Sequence, residues 1–149
     1  TVFPEGITHI GEGAFGGNRV PMGTLSLPEG IKVIGERAFS QCPNLWIITI
    51  PSSVDSIGEY AFSYCRHLNV ASLKGGGKKL AFGAFFECEK LVAIELPQGM
   101  ESIGNIAFSH CTNLYSVSLP SSLQEVGFES FEDCPCEKEV LQLVQKNKK

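Results

Sequence analysis

A repeat of 23 residues constrains the fold of this chain more than any other feature. The dipeptide Ala-Phe recurs, and its phenylalanines follow one another at intervals of 24, 23, 23, 23 and 23 residues. The copies are Ala14-Phe15, Ala38-Phe39, Ala61-Phe62, Ala84-Phe85 and Ala107-Phe108, with Ser130-Phe131 as a sixth, altered one. Self-similarity at this period predicts an array of stacked units, each too small to bury its apolar side alone.

Other residue types keep the same register, and stacking should place them in columns. One cysteine falls in each of five units, at Cys42, Cys65, Cys88, Cys111 and Cys134. A leucine follows four of them by three residues, at Leu45, Leu68, Leu91 and Leu114. We expect the Phe and Leu columns to be buried with two further columns. These are Ile50, Leu73, Leu96 and Leu119 on one wall, and Ile34, Ile57, Leu80, Ile103 and Val126 on the other.

The unit at residues 28–50 shows how each repeat should fold. Pro and Gly favour a turn at 28–30, and a short extended run follows at 31–34. Residues 36–39 suit one helical or 3₁₀ turn that points Phe inward. Residues 45–50 are typical of a strand. Strands of successive units would then pair in parallel at a spacing of about 4.8 Å.

The repeat pattern Leu-Pro-x-x-[hydrophobic]-x-x-Ile-Gly-x-x-Ala-Phe-x-x-Cys-x-x-Leu resembles the BspA-like, or Treponema pallidum-type, leucine-rich repeat. It is nearly unbroken in residues 28–50, 51–73 and 97–119. The resemblance implies an α/β solenoid with a right-handed coil, short parallel strands on the concave face, and short 3₁₀ or helical turns and loops on the convex side. Family members are mostly surface-exposed or secreted proteins that serve adhesion and protein binding, so an extracellular or cell-surface location is expected.

The predicted organisation is one array followed by one helix. The array covers residues 1–136 as units 4–27, 28–50, 51–73, 74–96, 97–119 and a partial 120–136, and a capping helix covers 137–149. The first unit is one residue longer and lacks the cysteine. The fourth unit begins with Lys74-Gly75-Gly76-Gly77-Lys78-Lys79, which does not fit a phosphate-binding GxxxxGK[ST] loop. The repeat register instead makes this segment the turn of the unit, which we expect to be flexible and locally basic.

Charge and hydropathy exclude two classes of partner. The formal net charge is −4, with 12 Lys plus Arg against 16 Asp plus Glu, so a nucleic-acid footprint is not expected. No run approaches the 18 or so apolar residues of a membrane span, so membrane insertion is not expected. The acidic residues of 137–149 lie at its start and most of its lysines at its end, as a helix dipole favours. Val140, Leu141 and Val144 could cover the last repeat, although a partner-binding helix is an alternative.

The cysteines invite catalytic, metal and disulfide interpretations. Parallel side chains one strand apart are too distant for disulfides and cannot converge on zinc, so we expect a column of buried thiols that donate weakly to loop carbonyls. Cys136 could be free or partly exposed, and a small-ring disulfide with Cys134 is an alternative. His67 and His110 neighbour cysteines in sequence, but neither recurs, and with His9 they are interpreted as turn or surface residues. The sequence predicts no catalytic residue, cofactor or metal site, hence not an enzyme.

The outward-facing strand positions carry the predicted site. Trp46, the one Trp in the chain, should lie on the concave face beside Ile47, Val70, Val92 and Tyr115. Exposed aromatic anchors within an apolar stripe mark interaction surfaces. We therefore predict a monomer or weak oligomer that binds a protein, such as a host or cell-surface protein, on this face. The alternatives are a cytosolic scaffold or effector recognition domain, or a purely structural spacer.

Overall fold

The computed structural model of the protein describes residues 3–148, which form eleven short strands and one helix. Thr1, Val2 and Lys149, at the ends of the predicted array and helix, lie outside the described residues. The elements are β1 (His9–Ile10), β2 (Gly23–Ser26), β3 (Val33–Ile34), β4 (Leu45–Ile50), β5 (Ser56–Ile57), β6 (Val70–Leu73), β7 (Lys79–Leu80), β8 (Ala93–Glu95), β9 (Ser102–Ile103), β10 (Ser116–Ser118), β11 (Glu125–Val126) and α1 (Glu137–Asn147).

The longer strands form one parallel sheet of five, in the order β10-β8-β6-β4-β2, which we call the long-strand sheet. Ile47 lies opposite Val70, and Val70 lies opposite Ala93, so pairing advances by one 23-residue unit per strand. This register confirms the stacked solenoid. The longer first unit leaves one irregularity: Gly23 pairs with Leu45 but Thr24 with Ile47, so Trp46 has no partner residue in β2.

The shorter strands form the opposite wall, which consists of two parallel sheets, β1-β3-β5 and β11-β9-β7. We call this the short-strand wall. Its strands alternate inward and outward, and they direct Ile34, Ile57, Leu80 and Ile103 into the interior, where all four are buried as predicted. The two sheets separate between β5 and β7, at the start of the fourth unit, where the sequence departs from the repeat.

A column of glycines explains why the strands of the short-strand wall pair closely within each of its two sheets. Gly58 and Gly104 each donate their N–H to the preceding coil at 2.8 Å, to the carbonyls of Ile34 and Leu80. A Cβ at Gly58 would lie 2.5 Å from the Glu36 nitrogen, so a side chain does not fit at this spacing. The fourth unit has Ala81 in this column, and within the described residues its N–H makes no such bond.

The interior contains the predicted columns, with the phenylalanine rings stacked along the axis. Successive ring centroids from Phe15 to Phe131 lie between 5.0 and 5.4 Å apart, and the planes are inclined by no more than 18°. The leucine column is fully buried. Leu119 and Val126, predicted as buried, are half-buried, and both lie in the last two units of the array.

The segments before and around each Phe are hydrogen-bonded turns, which corrects the expectation of a single helical or 3₁₀ turn. The Ala38 N–H bonds Gly35 within its own coil, whereas the N–H groups of Arg37 and Phe39 bond carbonyls of the next coil at 2.9 and 2.8 Å. This alternation requires a left-handed residue at two positions per unit. One set is Arg37, Tyr60, Gly83, Ile106 and Glu129, and the other is Gln41, Tyr64, Glu87, His110 and Asp133.

The thiol column is present as predicted. All six cysteines are free and buried. Each of the five repeat cysteines donates its Sγ–H to a Phe carbonyl of the preceding coil, over 2.9 to 3.2 Å. Burial raises the pKa of Cys65 to about 12, so the thiols stay protonated and unreactive near neutral pH. Cys136 is buried as well, and the alternative disulfide with Cys134 is not formed.

Helix α1 covers the last unit with its buried Val140 and Val144. Leu141, expected to cover that unit too, is 47% exposed because it lies at the edge of the buried side of the helix. The side chain of Asn147 donates to the Leu123 carbonyl at 3.0 Å. Among the described residues, none forms a helix with the length and hydropathy of a membrane span.

Candidate protein-binding surface

The solvent-facing side of the long-strand sheet, which we call the sheet face, contains the predicted site residues. Trp46 and Tyr115 occupy the same place in units two and five, and Asn69 and Val92 occupy it in the units between. The exposed fractions of Trp46 and Tyr115 are 57% and 66%, so both rings are open to solvent. Three equivalent strand steps place them about 14 Å apart along the array.

Ile47 and Val70 form a second row beside the first, and they pair directly across β4 and β6. Ile47 is 37% exposed, while Val70 and Val92 are half-buried between their neighbours. Asn69 interrupts the first row, so the predicted stripe is two adjoining rows with one polar position. Trp46 and Ile47 are consecutive and both exposed, and the equivalent positions of unit five, Tyr115 and Ser116, are both exposed as well.

The strand ends of the sheet face are polar. The Glu95 carboxylate accepts a hydrogen bond from Ser72 Oγ at 2.7 Å and lies 3.2 Å from Lys74 Nζ. Ser72, and then Lys74, hold the pKa of this carboxyl below its ordinary value. The two glycines that follow Lys74 are buried against the third unit, whereas Lys78 and Lys79 of the same segment are exposed.

The strand starts carry basic residues. A depression of about 380 Å³ is lined by Trp46, Ile47, His67, Asn69 and Lys90. A second depression, of about 470 Å³, shares His67 and is lined in addition by Arg19 and Arg66 among others. His67 is exposed, as expected for a turn residue.

A second exposed aromatic surface, which the repeat pattern did not single out, lies on the short-strand side. Phe128 is 71% exposed, and Phe82 borders a depression of about 620 Å³ together with Asn105. Both phenylalanines stand where units two and three have Glu36 and Glu59. This replacement of an acid by an aromatic residue is the sequence signal that could have found them.

The residues considered for chemistry are separated or engaged elsewhere. The Nδ1 atom of His110 lies 2.7 Å from the Asp133 carboxylate, and the ring of His110 packs edge-on against Phe86. His9 lies in strand β1 and is exposed. Over residues 3–148, no three His, Cys, Asp or Glu side chains converge in a way that could hold a metal ion.

Stacked 23-residue coils with a leucine at the strand start in four successive units and a parallel sheet on one wall define a leucine-rich repeat solenoid. The sequence matches the family described as BspA type Leucine rich repeat region in six copies, over residues 1–92 and 78–146, and the chain belongs to this family. Proteins of this fold are generally interaction modules and generally not enzymes. No curated protein sequence is significantly similar to the chain.

Solved bacterial structures share the fold. A leucine-rich repeat protein from Bacteroides ovatus is 30% identical with a TM-score of 0.78, over 89% of this chain and 34% of that protein. A leucine rich cell surface protein from Faecalibacterium prausnitzii is 27% identical with a TM-score of 0.73, over 86% and 35%. The T. pallidum leucine-rich repeat protein is 26% identical with a TM-score of 0.75, over 92% and 77%. The chain thus spans about a third of the length of the first two.

Proposed function

We propose that this chain is a non-catalytic module that binds a protein partner on the sheet face, through Trp46, Ile47, Val70, Val92 and Tyr115. The observation that supports the proposal most is the exposure of Trp46 and Tyr115 on one row of a sheet whose interior neighbours are fully buried. Trp and Tyr are enriched among the residues that dominate binding energies, since they bury a large area with few rotatable bonds.

The framework beneath these side chains suits rigid binding. Strands β4, β6 and β8 are paired on both edges, so the backbone of the site is held by hydrogen bonds on either side. The residues directly below, Ile48 and Ala71, are buried in the core. A surface that is ordered before binding loses little conformational entropy on association.

The location proposed for the module is extracellular or on the cell surface. One similar structure belongs to a leucine rich cell surface protein of Faecalibacterium prausnitzii, which supports this assignment. The partner would then be a protein of the same cell surface or of a host.

The test is a display library of extracellular protein domains probed with the multimerised chain. Each domain that binds is measured again with the double variant Trp46→Ala, Tyr115→Ala. We expect affinity to fall at least about tenfold, because losing two anchors removes well over 1.4 kcal/mol. Circular dichroism should show an unchanged fold, since both side chains lie outside the core.

The matched control is Phe128→Ala, which removes an equally exposed aromatic ring from the other wall. Binding that survives Phe128→Ala and is lost in the double variant supports the sheet face. Domains that bind the double variant as tightly as the unchanged chain, and lose affinity with Phe128→Ala, would contradict it.

A further inference from the structure

The charges around the sheet face are unevenly placed, although the chain as a whole has a net charge of −4. Arg19, His67 and Lys90 line the depressions at the strand starts, next to Trp46. At the strand ends, Glu95 and Glu29 face solvent. The end of the face that holds the most exposed apolar side chains is therefore its basic end.

Two of the basic residues at the strand starts, Arg19 and Lys90, are available to a partner. Arg66 forms an ion pair with Glu89 on the neighbouring unit. Within residues 3–148, Arg19 and Lys90 have no carboxylate oxygen within 4.0 Å, and both are exposed. The acidic groups at the other end are already engaged, since Glu95 pairs with Lys74 and Glu29 accepts from Ser52 Oγ at 3.3 Å.

The backbone beneath the free cations is fixed. The Asn69 side chain donates to the Lys90 carbonyl at 3.3 Å, and the Asn44 side chain donates to the Arg19 carbonyl at 2.5 Å. These asparagines tie the loops of neighbouring units together. The positive charges thus start from defined positions on either side of Trp46, one in unit one and one in unit four.

We infer that the partner on this face presents an acidic protein segment, in which an apolar residue contacts Trp46 and Ile47 while neighbouring Asp or Glu side chains pair with Lys90 and Arg19. This inference rests on the proposed function and specifies its partner. A protein segment fits better than a bare anion, because the site combines an apolar depression with exposed cations and has no enclosed set of donors. Exposed charges of this kind select and steer a partner more than they add affinity.

The experiment is a selection from a random-peptide phage library on immobilised chain, followed by affinity measurements on the enriched peptides. Peptides that depend on Trp46 should be enriched in Asp and Glu beside an apolar residue. Their affinity should fall several-fold as salt concentration is raised, and Lys90→Ala should weaken them about two- to fivefold, as expected for an exposed charge pair.

A charge-reversed target makes the test sharper. The double variant Arg19→Glu, Lys90→Glu should select peptides enriched in Lys and Arg, while the control Lys138→Glu, on exposed α1, should select the acidic peptides again. Reversal of the selected charge supports the inference, because only the two rim positions differ between the targets.

The outcomes separate this inference from the proposed function. Peptides that require Trp46 but show no acidic enrichment overturn the acidic partner and leave the sheet face as a binding site. Peptides that bind equally well to Trp46→Ala overturn both. A dimer in sedimentation velocity that is lost in Trp46→Ala assigns the face to a second copy, and carboxylated glycans that bind through Trp46 where peptides do not assign it to carbohydrate; either result overturns the acidic segment.

Discussion

The two walls of the solenoid are built from the same repeats, but they respond differently to a departure from the repeat. The long-strand sheet runs without a break through five units, whereas the short-strand wall is divided between β5 and β7. The fourth unit contributes to both walls, and its altered residues, 74–81, lie mainly on the divided one. Pairing on the short-strand wall depends on a glycine in each coil, which the long-strand sheet does not need.

The junction at the division is held by other contacts. The rings of Phe62 and Phe85 stack across it at 5.1 Å, and Cys88 Sγ donates to the Phe62 carbonyl at 3.1 Å. Val70 and Ala93 pair across it on the opposite wall. Continuity of the interior and of the long-strand sheet is therefore sufficient to join the third and fourth units. Strand pairing on the short-strand wall is not needed at this junction.

The largest expected effect comes from breaking the interior at this junction. Phe62→Ala should lower the free energy of unfolding by about 3–5 kcal/mol, because it leaves a cavity in the fully buried ring column at the junction. Phe15→Ala should cost less, since Phe15 is half-buried. Urea denaturation followed by circular dichroism and by Trp46 fluorescence measures both; equal costs would contradict the comparison.

A second division should follow from a methyl group in the glycine column. Gly104→Ala places a Cβ 2.8 Å from the Leu80 carbonyl oxygen, so we expect a cost of about 1–3 kcal/mol, as for overpacked sites. Amide hydrogen exchange at position 104 should be faster in the variant than in the unchanged chain, whereas amides of the long-strand sheet should keep their protection. The control is Gly11→Ala, at the same column in the first unit, where an added Cβ has open space and the change should be nearly neutral. Gly99→Ala would not be an equivalent control, because Gly99 has a positive φ.

The thiol column links successive coils and should make the array sensitive to alkali. Burial raises the pKa of Cys65 from 9.0 to about 12, so above pH 9 the unfolded chain loses a proton that the folded chain keeps. Stability is unaffected below pH 9 and falls between pH 9 and 12, by about 1.4 kcal/mol per pH unit for each such thiol. Urea midpoints from pH 8 to 10.5 measure this slope; Cys65→Ala should flatten it, and an unchanged slope would contradict the assignment.

The smallest effect is expected on the sheet face itself. Trp46→Ala and Tyr115→Ala should each change the free energy of unfolding by no more than about 0.5 kcal/mol, because both rings are largely exposed. The same urea titrations, followed by circular dichroism, check this. A loss comparable to that of Phe62→Ala would mean that these aromatic residues support the solenoid, and it would remove the reason to assign them to binding.

The interior could be predicted well from the sequence because equivalent positions of the repeats lie in the same environment. An apolar residue that recurs at one repeat position therefore indicates a buried column. Phe39, Leu45 and Ile34 could be assigned from period alone. The left-handed turns could not, because Arg37 and Tyr60 are not residues that signal a positive φ; the hydrogen bonds between coils impose it. The division of one wall lies where residues 74–81 depart from the repeat, with Ala81 in place of the column glycine. The positions facing solvent do not repeat, so the columns gave no information on the free cations, and Phe128 is marked only as an exception to an acidic column.

The left-handed residues have a consequence for a unit taken out of its array. Ile106 holds a φ of 50°, which is unfavourable for a β-branched residue, and its N–H donates to the Phe128 carbonyl of the following coil at 3.0 Å. An excised repeat would lose that acceptor and revert to ordinary right-handed dihedrals. The conformation of each repeat thus depends on hydrogen bonds to its neighbours. A single repeat made as an isolated peptide should therefore be unstructured, even though its sequence contains the repeat pattern.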